Sequence, residues 1–283
     1  MARTAVVTAG TRGIGFEVAR ALSDRGYAVT IVGRSPEHGR QAVRRIGGAR
    51  FVRADLSVLG EVRALGERLA ERGPVELLVN NVGGMWSKRW NTVDGIEASF
   101  AVNHLSATVL TEALVDAVAE GAPSRIVDVT SSSITVALMA GTPAYDDVEA
   151  PEPYYGITAS GRAKLAHLAY NRELAERLRG SGVSVFAADP GPAATPSSAE
   201  MTPEILPPAL RPQWEQIQAR VTERPAAEAA RSVVFAATDP SLDGATGLVI
   251  DADCAPTDAL TGALTPDLMA AARALTERVL KTA

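Results

Sequence analysis

Apolar, β-rich runs alternate with stretches of helical periodicity along the whole chain. TAVVTAG (4–10), YAVTIVG (27–33), ARFVRADL (49–56), VELLVNN (75–81), RIVDVTS (125–131), VSVFAADPG (183–191) and TGLVIDA (246–252) read as strands. Between them, helical patterns cover 13–26 and roughly 36–46, 57–72, 92–119, 158–179 and 225–238, with a last one over 265–281. The strands are nearly continuous apolar runs, as a sheet covered on both faces requires. Strands and helices in alternation predict βαβ units and an α/β fold with a doubly wound parallel sheet. No internal repeat and no linker divides the chain, so residues 1–283 read as one domain. The Pro/Ser/Ala-rich stretch 190–212 is too short to mark a boundary. Together with the residues up to about 222, it reads as a loop and short helix over the sheet's carboxyl edge, placed to cover a substrate at 192–222.

Composition narrows the picture. A chain of 283 residues can bury a sizeable core. The net charge of −5 gives no reason to expect nucleic acid as the main partner. No apolar run reaches membrane-spanning length, and the first residues lead straight into a strand pattern, so the expectation is a cytoplasmic protein without a membrane span. Cys254 is the only cysteine, which excludes an internal disulfide framework. The three histidines show no metal-ligand spacing, and no metal is expected. Only Lys88, Lys164 and Lys281 are lysines in an arginine-rich chain, which draws the eye to each of them.

The first strand runs into Thr8-Ala9-Gly10-Thr11-Arg12-Gly13-Ile14-Gly15 and then a helix. A glycine-rich turn at that junction aims backbone N–H groups and a helix N-terminus at a pyrophosphate. The plain alternative is a tight turn with no ligand. At the end of the second strand stands Val32-Gly33-Arg34-Ser35, with no acid to take a ribose 2′-hydroxyl. Arg34 and Arg12 could together grip a 2′-phosphate, or Arg34 could be a solvated charge.

These residues resemble the short-chain dehydrogenase/reductase family, whose nucleotide turn reads T-G-x-x-x-G-I-G. Thr8, Gly13, Ile14 and Gly15 match it; Ala9 stands where the family has its first glycine, and Gly10 is expected to take over the turn. Further resemblances follow in order. Asp55-Leu56 resembles the pair that caps the adenine. Asn80-Asn81-Val82-Gly83 resembles the turn after the fourth strand. Asn103 resembles the helix asparagine that holds a water, and Ser131 the catalytic serine. Pro190-Gly191 with Thr195 resembles the loop that meets the nicotinamide carboxamide. The local wording is similar to the retinol-dehydrogenase-like branch. The resemblance implies a Rossmann fold, bound NADP(H), a small-molecule substrate, and a homo-oligomer, dimer or tetramer, built through the helix that carries Lys164.

One family position departs. The family spaces its catalytic tyrosine and lysine Y-x-x-x-K, one helical turn apart, so that both face the same way. Anchored on Lys164 and the LAYNRELAERL run behind it, the tyrosine position is Ser160. Anchoring on Tyr155 or Tyr154 would put Ala159 or Thr158 at the lysine position, and neither is a cation. A phenol titrates near 10; an alkyl alcohol is a far weaker acid. Three outcomes stay open. A water held by Asn103, Ser131 and Ser160, or a substrate hydroxyl, supplies the proton. Alternatively Tyr145, Tyr154, Tyr155, Asp146, Asp147, Glu149 or Glu152, from the long segment before the helix, replaces the phenol. In the third case the site isomerises, dehydrates, cyclises or only binds its ligand. The expected function is an NADPH-dependent reduction of a ketone or related unsaturated group on a fairly large apolar molecule. Met85, Trp86, Trp90 and Trp214 are either the wall of its pocket or ordinary core aromatics. His104 and His167 read as packing residues and His38 as solvated.

Overall fold

The computed structural model describes residues 2–150 and 152–281. Its elements run in the order β1 (Thr4–Val7), α1 (Gly13–Ser23), β2 (Ala28–Gly33), α2 (Pro36–Ile46), β3 (Arg50–Arg53), α3 (Leu59–Ala70), β4 (Leu77–Asn80), α4 (Ala98–Phe100) and α5 (Ser106–Glu120). They continue with β5 (Ser124–Val129), α6 (Ser133–Met139), α7 (Gly156–Arg177), β6 (Val183–Ala188), α8 (Pro196–Ala199), α9 (Trp214–Glu223), α10 (Ala226–Thr238), β7 (Leu248–Ile250), β8 (Pro256–Thr257) and α11 (Pro266–Leu280). All eight strands form one sheet, ordered β3-β2-β1-β4-β5-β6-β7-β8. Every neighbouring pair is parallel except β7–β8, which is antiparallel. The strand order reverses between β1 and β4, and ligands of open parallel sheets sit outside the carboxyl ends at such a point.

The strands from β1 to β6, edge strand β3 aside, bury side chains on both faces, which is why their apolar runs are continuous. Phe16, Val18 and Leu22 of α1, Ala42 of α2 and Val233 of α10 cover one face, against Val7, Ile31 and Phe186. Leu65 of α3, Leu110 and Leu114 of α5 and Leu165 and Leu168 of α7 cover the other, against Leu78 and Ile126. The predicted strands overran their carboxyl ends. Residues 8–10, 54–56 and 189–191 share the apolar or small character of the ladder, yet they turn away to build the edge above it.

The helix expected over 92–119 begins at Ala98. It passes through a π-helical turn over Ala101–Leu105 and only then becomes regular. Glu97 caps its start by accepting the Ser99 and Phe100 N–H groups. The short helix α6 and the strand β8 had no sequence counterpart. The stretch 192–222 holds α8, two 3₁₀ turns (Pro203–Ile205 and Pro208–Gln213) and the start of α9, more helix than a loop with one short turn.

α11 lies along the outer face of α7. Leu268, Ala272 and Leu275 join the apolar layer there. Thr276 Oγ1 lies 2.7 Å from His104 Nε2, Arg273 pairs with Glu173 of α7 at 3.0 Å, and Arg278 donates to the Asp146 carbonyl at 2.5 Å. The chain's own last helix therefore packs on part of the helix that carries Lys164.

Candidate active site

The start of α1 opens onto a cleft of about 740 Å³. Arg12 at its N-cap is extended (φ −152°), no side chain caps the helix, and its first turn carries no acid. The free N–H groups of that turn face the cleft as an anion site. Gly15 is required by contact: a Cβ there would stand 2.4 Å from Asn81 Nδ2 and 2.5 Å from the Ala9 carbonyl. Gly13 and Ile14 line the cleft too, and Gly13 faces Thr195 across it.

Two details differ from expectation. Gly10 does not take over the turn. Ala9 itself adopts the left-handed backbone (φ 49°), and Gly10 is buried where a Cβ would meet Ile31 at 2.8 Å. Thr8 is fully buried and outside the cleft wall. Its Oγ1 accepts the Asn81 and Val82 N–H groups at 2.9 and 3.0 Å. Thr8 therefore ties the end of β1 to the end of β4 and shapes the wall from behind.

Arg12, Arg34, Ser35 and His38 stand together at one end of the cleft. Neither guanidinium has an acidic partner among the described residues, and both side chains are exposed toward solvent. Ser35 caps α2 by accepting the His38 N–H at 3.2 Å. Asp55 and Leu56 line the neighbouring wall. The Asp55 carboxylate accepts the Ser57 N–H and hydroxyl, which fixes the turn after β3. Asn81, Val82 and Gly83 form the opposite wall with Trp86 and Trp90, whose rings meet edge to face at 5.5 Å. Trp214, at the start of α9, does not line this cleft. An uncapped helix start, a glycine-lined approach, paired arginines and this volume fit a dinucleotide.

At the other end of the sheet edge stand the catalytic candidates. Asn103 sits in the π-helical turn, and both ends of its amide are engaged: Oδ1 accepts the Gly84 N–H and Nδ2 donates to the Gly84 carbonyl, each at 2.9 Å. Its side chain thus fixes the turn after β4, with one N–H and one lone pair left over. Lys164 is 6% exposed, lies under Gly83, and donates from Nζ to the Val129 carbonyl at 2.6 Å. Burial lowers its pKa to about 8, against the opposing pull of Asp128 and Asp189. Ser160, 4% exposed, precedes it by one turn, and its hydroxyl makes no hydrogen bond among the described residues. Ser131 ends the strand region beside them, its Oγ accepting the Ser133 N–H at 3.1 Å. Gly161 lets α7 pass close to α6: a Cβ there would stand 2.1 Å from the Ser133 carbonyl. Pro190 and Gly191 lie outside the cleft wall and carry the backbone toward Thr195. Arg224 braces that turn by donating to the Pro190 and Ala252 carbonyls.

Most of the proposed replacements for the phenol are engaged elsewhere. Tyr145 is buried, donates to the Arg162 carbonyl at 2.7 Å, and burial pushes its phenol well above the usual value. Tyr154 faces Ser99 at 3.5 Å. Glu149 and Glu152 both pair with Arg89. The carboxylate of Asp147 accepts the Glu149 N–H, and Asp146 is exposed. Tyr155 begins α7 as its N-cap, and its hydroxyl has no partner among the described residues. His167 is buried with Nε2 3.4 Å from Asp128 Oδ1, and His38, expected in solvent, lines the cleft. Among the described residues no cluster could hold a metal ion.

Residues 3–146 match the short chain dehydrogenase family, just over half the chain. The chain belongs to the short-chain dehydrogenase/reductase family. Mouse retinol dehydrogenase 12 is 38% identical over 196 residues, covering 67% of this chain and 61% of that protein. The chain thus matches about three fifths of the length of the retinol dehydrogenases most similar to it. Zebrafish polyprenol dehydrogenase is 33% identical over 261 residues, covering 88% of this chain and 78% of that one. Among solved structures, an uncharacterized protein from Mycobacterium paratuberculosis superposes with a TM-score of 0.74 at 26% identity, covering 99% of this chain and 93% of that chain. Pseudomonas aeruginosa RhlG, solved with NADP, gives 0.64 at 25% identity, covering 88% and 94%. These relatives place this short-chain dehydrogenase in the retinol-dehydrogenase-like branch, with an oxidoreductase's fold and cleft.

Proposed function

We propose that this protein is an NADP(H)-dependent oxidoreductase that reduces a ketone or related unsaturated group on a fairly large apolar molecule. The observation that carries the reading is the cleft itself. An uncapped helix start faces the pyrophosphate position, and Arg12 and Arg34 stand unpaired where a 2′-phosphate would lie, with no acid at the end of β2. Gly13, Ile14, Gly15 and Thr195 would hold the pyrophosphate side, and Asp55, Leu56, Asn81, Val82 and Gly83 the adenosine and ribose walls. When bound, the nicotinamide gives or takes a hydride.

The chain's own residues do the rest. Lys164 brings a positive charge to the ribose side of the site. Ser131 orients the reacting oxygen, and Asn103 keeps the Gly83–Gly84 turn in place for both. Ser160 leaves room where the family has a phenol, and its alcohol is too weak an acid to replace that group. Trp86 and Trp90 supply flat apolar wall, in keeping with relatives named for retinol and polyprenol. The partner is a small molecule. A homo-oligomer, dimer or tetramer, remains our expectation from the family resemblance. No described helix is long and apolar enough to cross a membrane; a cytoplasmic location remains our expectation. Ser160 also supports a second reading, a non-redox isomerase, dehydratase or cyclase on the same scaffold.

Fluorescence titration tests the cofactor. NADPH should bind more tightly than NADH, and Arg34→Ser should weaken NADPH alone by about 10–100-fold, the worth of one charged hydrogen-bonding group. Tighter binding of NADH by the natural chain would overturn the assignment. Substrate conversion without any change in the NADPH absorbance would select the non-redox reading.

A further inference from the structure

The site needs a group that exchanges the substrate's proton, and among the described residues the segment before α7 leaves only Tyr155 and the exposed Asp146 uncommitted. Another candidate stands on the opposite side, at the end of β6. Asp189 directly follows that strand. The last ladder pair, Val129–Ala188, sets residue 130 beside residue 189, so Asp189 stands at the same sheet edge as Ser131 and Ser132. That carboxylate accepts the Gly191 N–H at 2.8 Å and is also reached by the Ser132 N–H. Two turns of the active-site edge thus hold it in place. Its charge is felt at Lys164.

We propose that Asp189 exchanges the proton of the substrate oxygen in place of the absent phenol, directly or through the Ser131 hydroxyl; the proposal rests on the redox reading above. Three charged groups face it: Lys164 from α7, Arg224 from the segment before α10 and Asp251 beyond β7. Burial outweighs the two N–H donors and Arg224 and raises the carboxyl above its usual value. The shift moves its titration toward the range in which a carboxyl serves as acid and base near neutrality.

The step balances in both directions. In oxidation the alcohol O–H bond breaks and its proton passes to Asp189. The carbinol hydrogen leaves with both electrons of its C–H bond to the oxidised nicotinamide dinucleotide, and C=O forms. The carboxylic acid then releases the proton to water. In reduction the carboxyl returns a proton to the oxygen as hydride reaches the carbon.

The test compares Asp189→Asn with Tyr155→Phe in the whole protein. Asparagine keeps an oxygen to accept the Gly191 N–H but cannot exchange the proton. Alcohol oxidation by the natural chain should fall as pH drops through the Asp189 titration. Asp189→Asn should lower the rate by about 100-fold, remove that acid limb and leave NADP affinity unchanged. In Asp189→Gly, added formate should restore part of the rate, which a merely structural role would not allow. A readout free of turnover is stability against pH. A raised carboxyl makes the folded chain lose stability as pH rises from the unfolded value through the folded one, and Asp189→Asn should abolish that loss. An unchanged rate and limb in Asp189→Asn, or their loss in Tyr155→Phe instead, would overturn the proposal alone. A natural chain that binds NADP(H) but turns over no alcohol or ketone would sink the redox reading and this proposal together.

Discussion

The two ends of the cleft are built from different materials. The nucleotide end, from β1 to α2, is mostly backbone: helix N–H groups, glycines at close approach, and two arginines that reach in from the rim. The end we propose for the chemistry, from β5 to β6, is side chains: Ser131, Ser160, Lys164 and Asp189. The first end tolerates change only where Cβ atoms have room. In the second, Ser160 stands where we place the family's phenol, on a helix that Gly161 lets pass close to α6. A backbone-built site is kept by sterics, whereas a site built of side chains can be rewritten one residue at a time.

That contrast can be broken most sharply at two glycines. Gly15→Val would drive α1 from the Ala9 carbonyl and Asn81, and Gly161→Val would drive α7 from α6. Each should cost roughly 1–3 kcal/mol or more in stability. The first should abolish NADP(H) binding by calorimetry; the second should keep binding and lose turnover. Loss of both properties in both variants would show that the two ends are one cooperative unit.

Lys164→Met comes next. Burial holds Lys164 at about 8, below the unfolded value of about 10.4. Below about pH 8 the folded chain carries the full penalty of a buried cation. Stability therefore rises with pH between the two values, where only the unfolded chain keeps the proton. Methionine removes that penalty, partly offset by the lost bond to the Val129 carbonyl. Chemical denaturation at pH 7 should find the variant more stable by on the order of 1–3 kcal/mol, a gain that vanishes above pH 10. Turnover should fall sharply at the same time. A destabilised variant at pH 7 would contradict the buried-cation account.

The smallest effect belongs to Ala9. Left-handed alanine is strained by about 1 kcal/mol, and glycine would relieve that while making the unfolded chain more disordered by a similar amount. Ala9→Gly should therefore shift the unfolding midpoint very little and leave NADP(H) affinity intact.

Much of this arrangement was legible before any coordinates. Continuous apolar strands, helical spacing and the Gly13-x-Gly15 turn follow from short-range rules, and they placed the sheet and the nucleotide end. Lys164 and Ser160 were placed by helical spacing together with the family resemblance. What escaped notice depends on contacts distant in sequence. The π-helical turn at Asn103 keeps ordinary helical composition. α6 is only seven residues long, and its apolar residues merge into the strand before it. Asp189 lies far from Ser160 in sequence, on another element, so no local spacing links the two. The parallel ladder, which periodicity cannot pair, brings the end of β6 beside Ser131. The Asp-Pro-Gly run was a faint signal, since an acid at a strand's carboxyl end in a parallel sheet sits where ligands bind.

The bracing of α7 has a consequence for how the site behaves in solution. The contacts of α11 with His104, Glu173 and Asp146 are all made within one chain. When a neighbouring copy supplies such support, the catalytic geometry weakens as the protein is diluted. Here these contacts are unimolecular, so dilution does not remove them.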